Sequence, residues 1–128
     1  MNKILLVDDE SNVRLVYKEV LNDVGYYVLE AESGEETFRI LTREPVDLII
    51  LDIKLRLESG LNVLQRIKEE FPGIPVLLCT GYACFRSDST SWFAENYIVK
   101  SSDSTEILQE VNKVLGERDK DSVMRFEV

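Results

Sequence analysis

Five polar residues with the means to do chemistry stand at one kind of position in this chain, directly after a short apolar run. Asp8 and Asp9 follow Ile4-Leu5-Leu6-Val7, Asp52 follows Leu48-Ile49-Ile50-Leu51, Thr80 follows Val76-Leu77-Leu78-Cys79, and Lys100 follows Tyr97-Ile98-Val99. Gathered in one place, three carboxylates repel one another, and a divalent cation resolves that conflict. Magnesium takes a few carboxylates, keeps several waters and tolerates substrate oxygens, so an oxygen-only set suits it. Asp52 is then the candidate nucleophile toward a phosphorus centre. The metal would neutralise charge on the phosphoryl oxygens during in-line transfer, Lys100 would pair with another of those oxygens, and the Thr80 hydroxyl would hydrogen-bond a third. An aspartate is already ionised at neutral pH, so this chemistry asks for no general base.

The elements that must bring these residues together are legible as periodicities. The runs 4–7, 48–51 and 76–79 are apolar on both faces, which suits strands of a parallel sheet covered on both sides by helices. Tyr26–Glu30 and Tyr97–Val99 are weaker strand candidates, rich in β-branched and aromatic residues. Val13, Val16, Tyr17, Val20, Leu21 and Val24 fall on one helical stripe, and Gly25 supplies its stop. Ser33 with Glu36 reads as a capping box for a helix near 34–43, closed from outside by Pro45. Leu61, Leu64, Ile67 and Phe71 mark another helix, ended by Pro72-Gly73. Asp103 with Glu106 gives a second capping box, followed by Ile107, Leu108, Val111, Val114 and Leu115, with Gly116 as the expected cap. In the Ser-rich stretch between Phe85 and Glu95 a helix is expected over Thr90–Glu95 alone, because Ser, Thr and Asp side chains compete for backbone hydrogen bonds. Alternating strands and helices predict an α/β, doubly wound, five-stranded parallel sheet of flavodoxin-like (βα)5 type; right-handed crossovers leave a few strand orders, of which 2-1-3-4-5, the best known for five strands, is expected. In such sheets ligands bind outside the carboxyl ends of the strands, which is where the five polar residues fall.

Composition narrows the function. The chain has 128 residues, enough for one domain. A net charge of -9 disfavours autonomous binding to nucleic acid, so no direct nucleic-acid contact is expected. Histidine is absent, which excludes Ser-His-Asp and Cys-His catalysis and any phosphoryl relay through a histidine of these residues. Cys79 and Cys84 are too few for a disulfide framework or a structural zinc site and read as reduced thiols of a cytoplasmic protein. The apolar run before Asp8 is too short for a signal peptide, and no stretch approaches the ~20 apolar residues of a membrane span, so no membrane association is expected.

At these residues the sequence resembles the receiver domain of bacterial two-component response regulators, over residues 1–116, with 117–128 as a tail or the start of a linker. The marks are Ile4-Leu5-Leu6-Val7-Asp8-Asp9-Glu10, Asp47-Leu48-Ile49-Ile50-Leu51-Asp52, Gly60 eight residues past Asp52, Thr80-Gly81 and Tyr97-Ile98-Val99-Lys100. The resemblance implies a chemotaxis-regulator-like fold and a phosphoacceptor, Asp52, that takes its phosphoryl group from a histidine kinase or a phosphotransfer protein. Asp8, Asp9, Asp52 and the backbone carbonyl of Lys54 would hold Mg2+. Lys100 and Thr80 would contact the phosphoryl group, and Thr80 with Tyr97 would form the switch. The implied downstream partner is an effector protein or a fused output domain, with a homodimer formed on phosphorylation as a further option. No enzyme activity is implied beyond the domain's own phosphorylation and dephosphorylation. Lys54 and Tyr82, each two residues past a site residue, are expected to flank the phosphoryl group and tune its lifetime by screening water.

Three positions depart from the family pattern. Ser101 replaces the usual proline after the lysine, and a cis peptide there costs ~3 kcal/mol, which leaves the Lys100–Ser101 bond trans or cis against that cost. Arg56 stands where a proline usually lies, and the stretch from Thr80 to Lys100 is a residue or two shorter than usual. Two other functions use similar groups. A small Mg-dependent phosphatase of the haloacid-dehalogenase type also has an aspartate nucleophile, but that class carries a second acid where this chain has Lys54. A binding module that no longer uses phosphate would keep the fold without the labelling chemistry.

Overall fold

The structure, a computed structural model, describes residues 2–80, 96–99 and 107–116, and at Thr80 and residues 96–99 the backbone only. The apolar runs become strands: β1 Lys3–Val7, β2 Tyr27–Ala31, β3 Leu48–Asp52, β4 Val76–Thr80 and β5 Asn96–Val99. They form one sheet in the expected order β2-β1-β3-β4-β5, every pairing parallel. The second strand begins one residue later than its aromatic-rich stretch suggests, because Tyr26 is held in the preceding turn.

Strand alternation divides the core into two clusters. Leu5, Val7, Ile49, Leu51, Val76 and Leu78 face one way, onto α2 (Gly34–Leu41) and α3 (Gly60–Glu70) through Phe38, Leu41, Leu61, Leu64 and Ile67. Ile4, Leu6, Leu48, Ile50, Leu77 and Cys79 face the other way, onto Tyr17 and Leu21 of α1 (Ser11–Asp23) and onto Ile107, Val111 and Leu115 of the helical residues 107–116. Both faces of the central strands are therefore dry, which is why their sequences read as continuous apolar runs rather than as alternating ones.

The helix signals map closely. Ser33 caps α2, its Oγ accepting from the Glu36 N–H at 3.2 Å. Gly25 adopts φ 99°, and the N–H groups of Gly25 and Tyr26 return to the carbonyls of Asn22 (3.0 Å) and Leu21 (3.1 Å), the Schellman closure that a left-handed glycine permits. Gly116 differs: it is still helical and has no positive φ, so its expected capping role is not seen. The stripe on α1 is narrower than its periodicity. Tyr17 and Leu21 are buried, whereas Val16 is 50% and Val24 52% exposed. Val24 stands just past the helix as its C-cap, and Val16 lies on the flank of the face that Tyr17 and Leu21 press onto the sheet. Phe71 is partly buried and stacks on Phe38, with ring centroids 6.5 Å apart. The Asp103–Glu106 capping box, the Phe85–Glu95 stretch, Cys84, the Lys100–Ser101 bond and the tail 117–128 lie outside the described residues. Cys79 is a buried thiol that contacts the Tyr17 hydroxyl at 3.7 Å.

The narrow face of α1 has a direct test. Leu21→Ala should destabilise the domain by about 2–5 kcal/mol and Val16→Ala by under about 0.5 kcal/mol, read from urea unfolding midpoints.

Candidate functional site

The strand ladder determines which polar groups meet. Val7 pairs with Leu51, so Asp8 emerges from β1 level with Asp52 at the end of β3. Asp52 in turn pairs with Cys79, and Thr80 pairs with Val99, the residue before Lys100. Because all strands run the same way, these residues share the carboxyl edge of the sheet. Asp8 and Asp52 also share parity with Leu6 and Ile50, so strand alternation turns both toward the α1 side. Both are nearly enclosed, Asp8 at 2% and Asp52 at 4% exposure. A buried carboxylate is costly unless hydrogen-bonded or paired, and each is answered locally in the same way. The Glu10 N–H donates to Asp8 Oδ1 at 2.9 Å, and the Lys54 N–H donates to Asp52 Oδ1 at 3.3 Å. In each case the carboxylate folds back on the amide two residues on and turns the chain out of its strand.

The oxygens of Asp8, Asp9 and Glu10 come within 4.8 Å of one another, the one such group among the described residues. Asp52 is not a member of that tight group, although register sets it on the adjacent strand end. Hard oxygen donors, two of them buried beside an apolar sheet edge, fit a small divalent cation such as magnesium. Glu10 was not singled out by the sequence reading; its place as the third acid of a consecutive triplet is the signal that points to it. A cleft of about 170 Å3 opens beside the acids, lined in part by Asp9, Ser33, Arg56 and Glu58.

The loop after β3 is anchored by alternation. Ile53 and Leu55 are buried while Lys54 and Arg56 are exposed, and Lys54 forms an isolated antiparallel bridge with Ser59. The Lys54 side chain therefore points to solvent, and its backbone supports Asp52. Gly60 closes the loop by close approach. Its N–H donates to the Ile53 carbonyl, and a Cβ at Gly60 would stand 2.0 Å from the Asp52 carbonyl oxygen and 2.8 Å from that of Ile53. No side chain fits there, which gives the glycine eight residues past Asp52 its physical reason.

Two further residues escaped the sequence reading. Arg14, on α1, donates from Nη1 to the Asp8 carbonyl at 2.6 Å and from Nε to Glu30 Oε1 at 3.2 Å. Glu58 accepts from the Gly34 N–H at 3.1 Å and so caps the start of α2 from another loop. Both contacts join elements far apart in the chain, and no local pattern encodes them. Of the other site residues, Thr80 and Tyr97 occupy the ends of β4 and the middle of β5 by backbone position, whereas Lys100 and Tyr82 lie outside the described residues.

Comparison with known proteins bears on this edge. A family model, the response regulator receiver domain, matches residues 4–112. Sporulation initiation phosphotransferase F of Bacillus subtilis (strain 168) is 34% identical over 115 residues, covering 88% of this chain and 93% of that protein. A probable transcriptional regulator, ycf27 of Porphyra purpurea, is 32% identical over 92% of this chain but only 49% of its own length, so the chain spans about half of that relative. Among solved structures, response regulator protein TrrA from Thermotoga maritima in complex with Mg2+-BeF is 40% identical. It superposes with a TM-score of 0.85, over 89% of this chain and 99% of that one. A chain from the structure of the histidine kinase ThkA in complex with TrrA is 41% identical, with a TM-score of 0.84 over 90% of this chain and 99% of that one.

The crowding at Gly60 predicts that Gly60→Ala lowers stability by about 1–3 kcal/mol, since backbone must shift to admit the methyl. Gly73→Ala, with nothing within 4 Å of the added carbon, should stay within about 0.5 kcal/mol of the parent in the same urea titration.

Proposed function

This chain belongs to the response regulator receiver domain family, and from that premise we propose that Asp52 is its phosphoacceptor. One observation carries the reading: the parallel register levels Asp8 with Asp52, both buried, at the carboxyl edge of the sheet. In the proposed step an Asp52 carboxylate oxygen attacks phosphorus in line, the P–N bond to a donor imidazole breaks as the P–O bond forms, and the freed imidazole keeps the electron pair and takes up a proton. As an anionic nucleophile Asp52 would need no general base. Asp8, Asp9, Asp52 and the Lys54 carbonyl would hold Mg2+, which would supply positive charge to the phosphoryl oxygens. Thr80 and Lys100 would complete the set of groups around the phosphoryl, and Thr80 with Tyr97 would pass its arrival to the β4–β5 side of the sheet. The result would be a population shift between two states with different partner affinity.

The donor histidine must come from another protein or domain, since these residues contain none. The partner we propose is a histidine kinase or a phosphotransfer protein, in keeping with the family and with the ThkA–TrrA complex. Downstream we propose an effector protein or a fused output domain, residues 1–116 being the receiver and 117–128 a tail or linker. A phosphorylation-dependent homodimer is compatible with this scheme. Among the described residues no helix is long and apolar enough to cross a membrane, and a cytoplasmic location is proposed from the kinase chemistry and from a cysteine count too low for a disulfide framework. Catalysis on an added substrate is not part of the proposal, because exposed Lys54 stands where an aspartate-nucleophile phosphatase carries its second acid.

Incubation with acetyl phosphate and Mg2+, followed by intact mass, should add one phosphoryl group. The adduct should vanish in Asp52→Ala and on chelation of the metal. Labelling that persists in Asp52→Ala, or repeated turnover of a small phosphate ester, would sink the reading. Lys54→Ala and Tyr82→Ala should each shorten the phosphoryl lifetime severalfold if these side chains screen water. Unchanged decay by mass spectrometry would remove that role.

A further inference from the structure

We propose that Arg14 is a positioning residue for the acid pair: gripping the Asp8 carbonyl while anchored on Glu30, it fixes the Asp8–Asp9 turn in the orientation that Mg2+ requires. This inference rests on the metal reading above and adds a residue to it. Among the described residues three contacts hold Asp8. Its N–H donates to the Ala31 carbonyl (3.1 Å), its Oδ1 accepts from Glu10 N–H (2.9 Å), and its carbonyl accepts from Arg14 Nη1 (2.6 Å). The third contact matters most for Asp9. The peptide joining Asp8 to Asp9 is planar, so fixing the carbonyl oxygen fixes the plane from which the Asp9 side chain departs.

Arg14 can hold that plane because its own position is doubly determined. Its backbone N–H donates to the Glu10 carbonyl at 3.2 Å, in the first turn of α1. Its Nε meets Glu30 Oε1 at 3.2 Å, and the other oxygen of Glu30 is met by Lys18 Nζ, one helical turn on, also at 3.2 Å. Glu30 on β2 is therefore a fixed post between two cations of α1, and the guanidinium spans from post to turn. Its side chain is 15% exposed, against 40% for Lys18, so the fork is well shielded. A guanidinium presents Nε–H and Nη1–H to the two acceptors in a fixed planar fork, whereas a lysine ammonium is a point charge on a flexible stem with no such fork.

The test separates positioning from stability and from plain charge. Mg2+ titrations of the metal-free full chain, followed by amide NMR shifts, give Kd for each variant. Arg14→Met should raise Kd about 10–100-fold, the range for residues that orient metal ligands without touching the ion. Its thermal midpoint should fall as well, because two shielded acceptors lose their donor, so each Kd is measured well below the variant's own midpoint. Arg14→Lys should recover less than half of the loss on a logarithmic scale. If it restores wild-type Kd, charge alone accounts for the effect and positioning is overturned, as it is if Arg14→Met binds like the parent. Glu30→Ala leaves Arg14 in place and serves if Arg14→Met does not fold: a severalfold rise in Kd supports the proposal and no change overturns it. Failure of the metal reading looks different, because then the parent chain gives no saturable Mg2+ shifts and Asp8→Ala changes nothing, and both inferences fall together.

Discussion

The structure depends on one constraint, the register of its parallel ladder. A slip of one residue would send every side chain of a strand into the opposite cluster, and the two clusters are packed by different helices. Leu48–Leu51 must sit level with Ile4–Val7 to fill the two clusters on either side of the sheet. Once that alignment is made, the ends of β1 and β3 are level without any interaction between the acids. The apolar core thus brings Asp8 and Asp52 together against their mutual repulsion, with cohesion spread over many side chains opposing a local electrostatic cost.

The way that cost is contained explains much of the surrounding detail. Each buried aspartate takes a backbone N–H from its own outgoing loop, so the turns after β1 and β3 are built from the acids they carry. The loop after β3 is then locked from the far side by the buried pair Ile53 and Leu55, and by the close contact of Gly60 with the Asp52 carbonyl. On β1 the corresponding lock is ionic, through Arg14 and Glu30. Two acids with the same local geometry are thus secured by different physics, one by apolar anchoring and one by a guanidinium.

What was legible in the sequence follows from the range of each signal. Strand runs, the Ser33 cap and the Gly25 stop are encoded within a few residues, and the fold class came from their alternation; the strand order was only the best known of the few that the alternation allows. Asp8, Asp9, Asp52 and Thr80 were legible because each ends such a run. Arg14, by contrast, reads as an ordinary polar position of an amphipathic helix, since its partners are a carbonyl six residues back and a carboxylate on a strand sixteen residues on. Glu58 has no local mark at all, for its acceptor role is toward an amide twenty-four residues earlier. The stripe on α1 overstated burial because periodicity gives the direction of a face and not its width, which the sheet beneath decides.

The strand order also bears on how the site comes into being. Residues 3–52 supply β1, β2 and β3, which are consecutive in the sheet with β1 pairing to both others, together with α1 and α2. This half of the chain can close its own ladder with short sequence separations, a favourable situation for early formation. It contains both buried acids, Arg14 and Glu30, and lacks Thr80 and the last strand. On the proposed reading, the acids that would hold the cation and the groups that would meet the phosphoryl group therefore lie in different stretches of the chain, and the edge is complete only with the last strand in place.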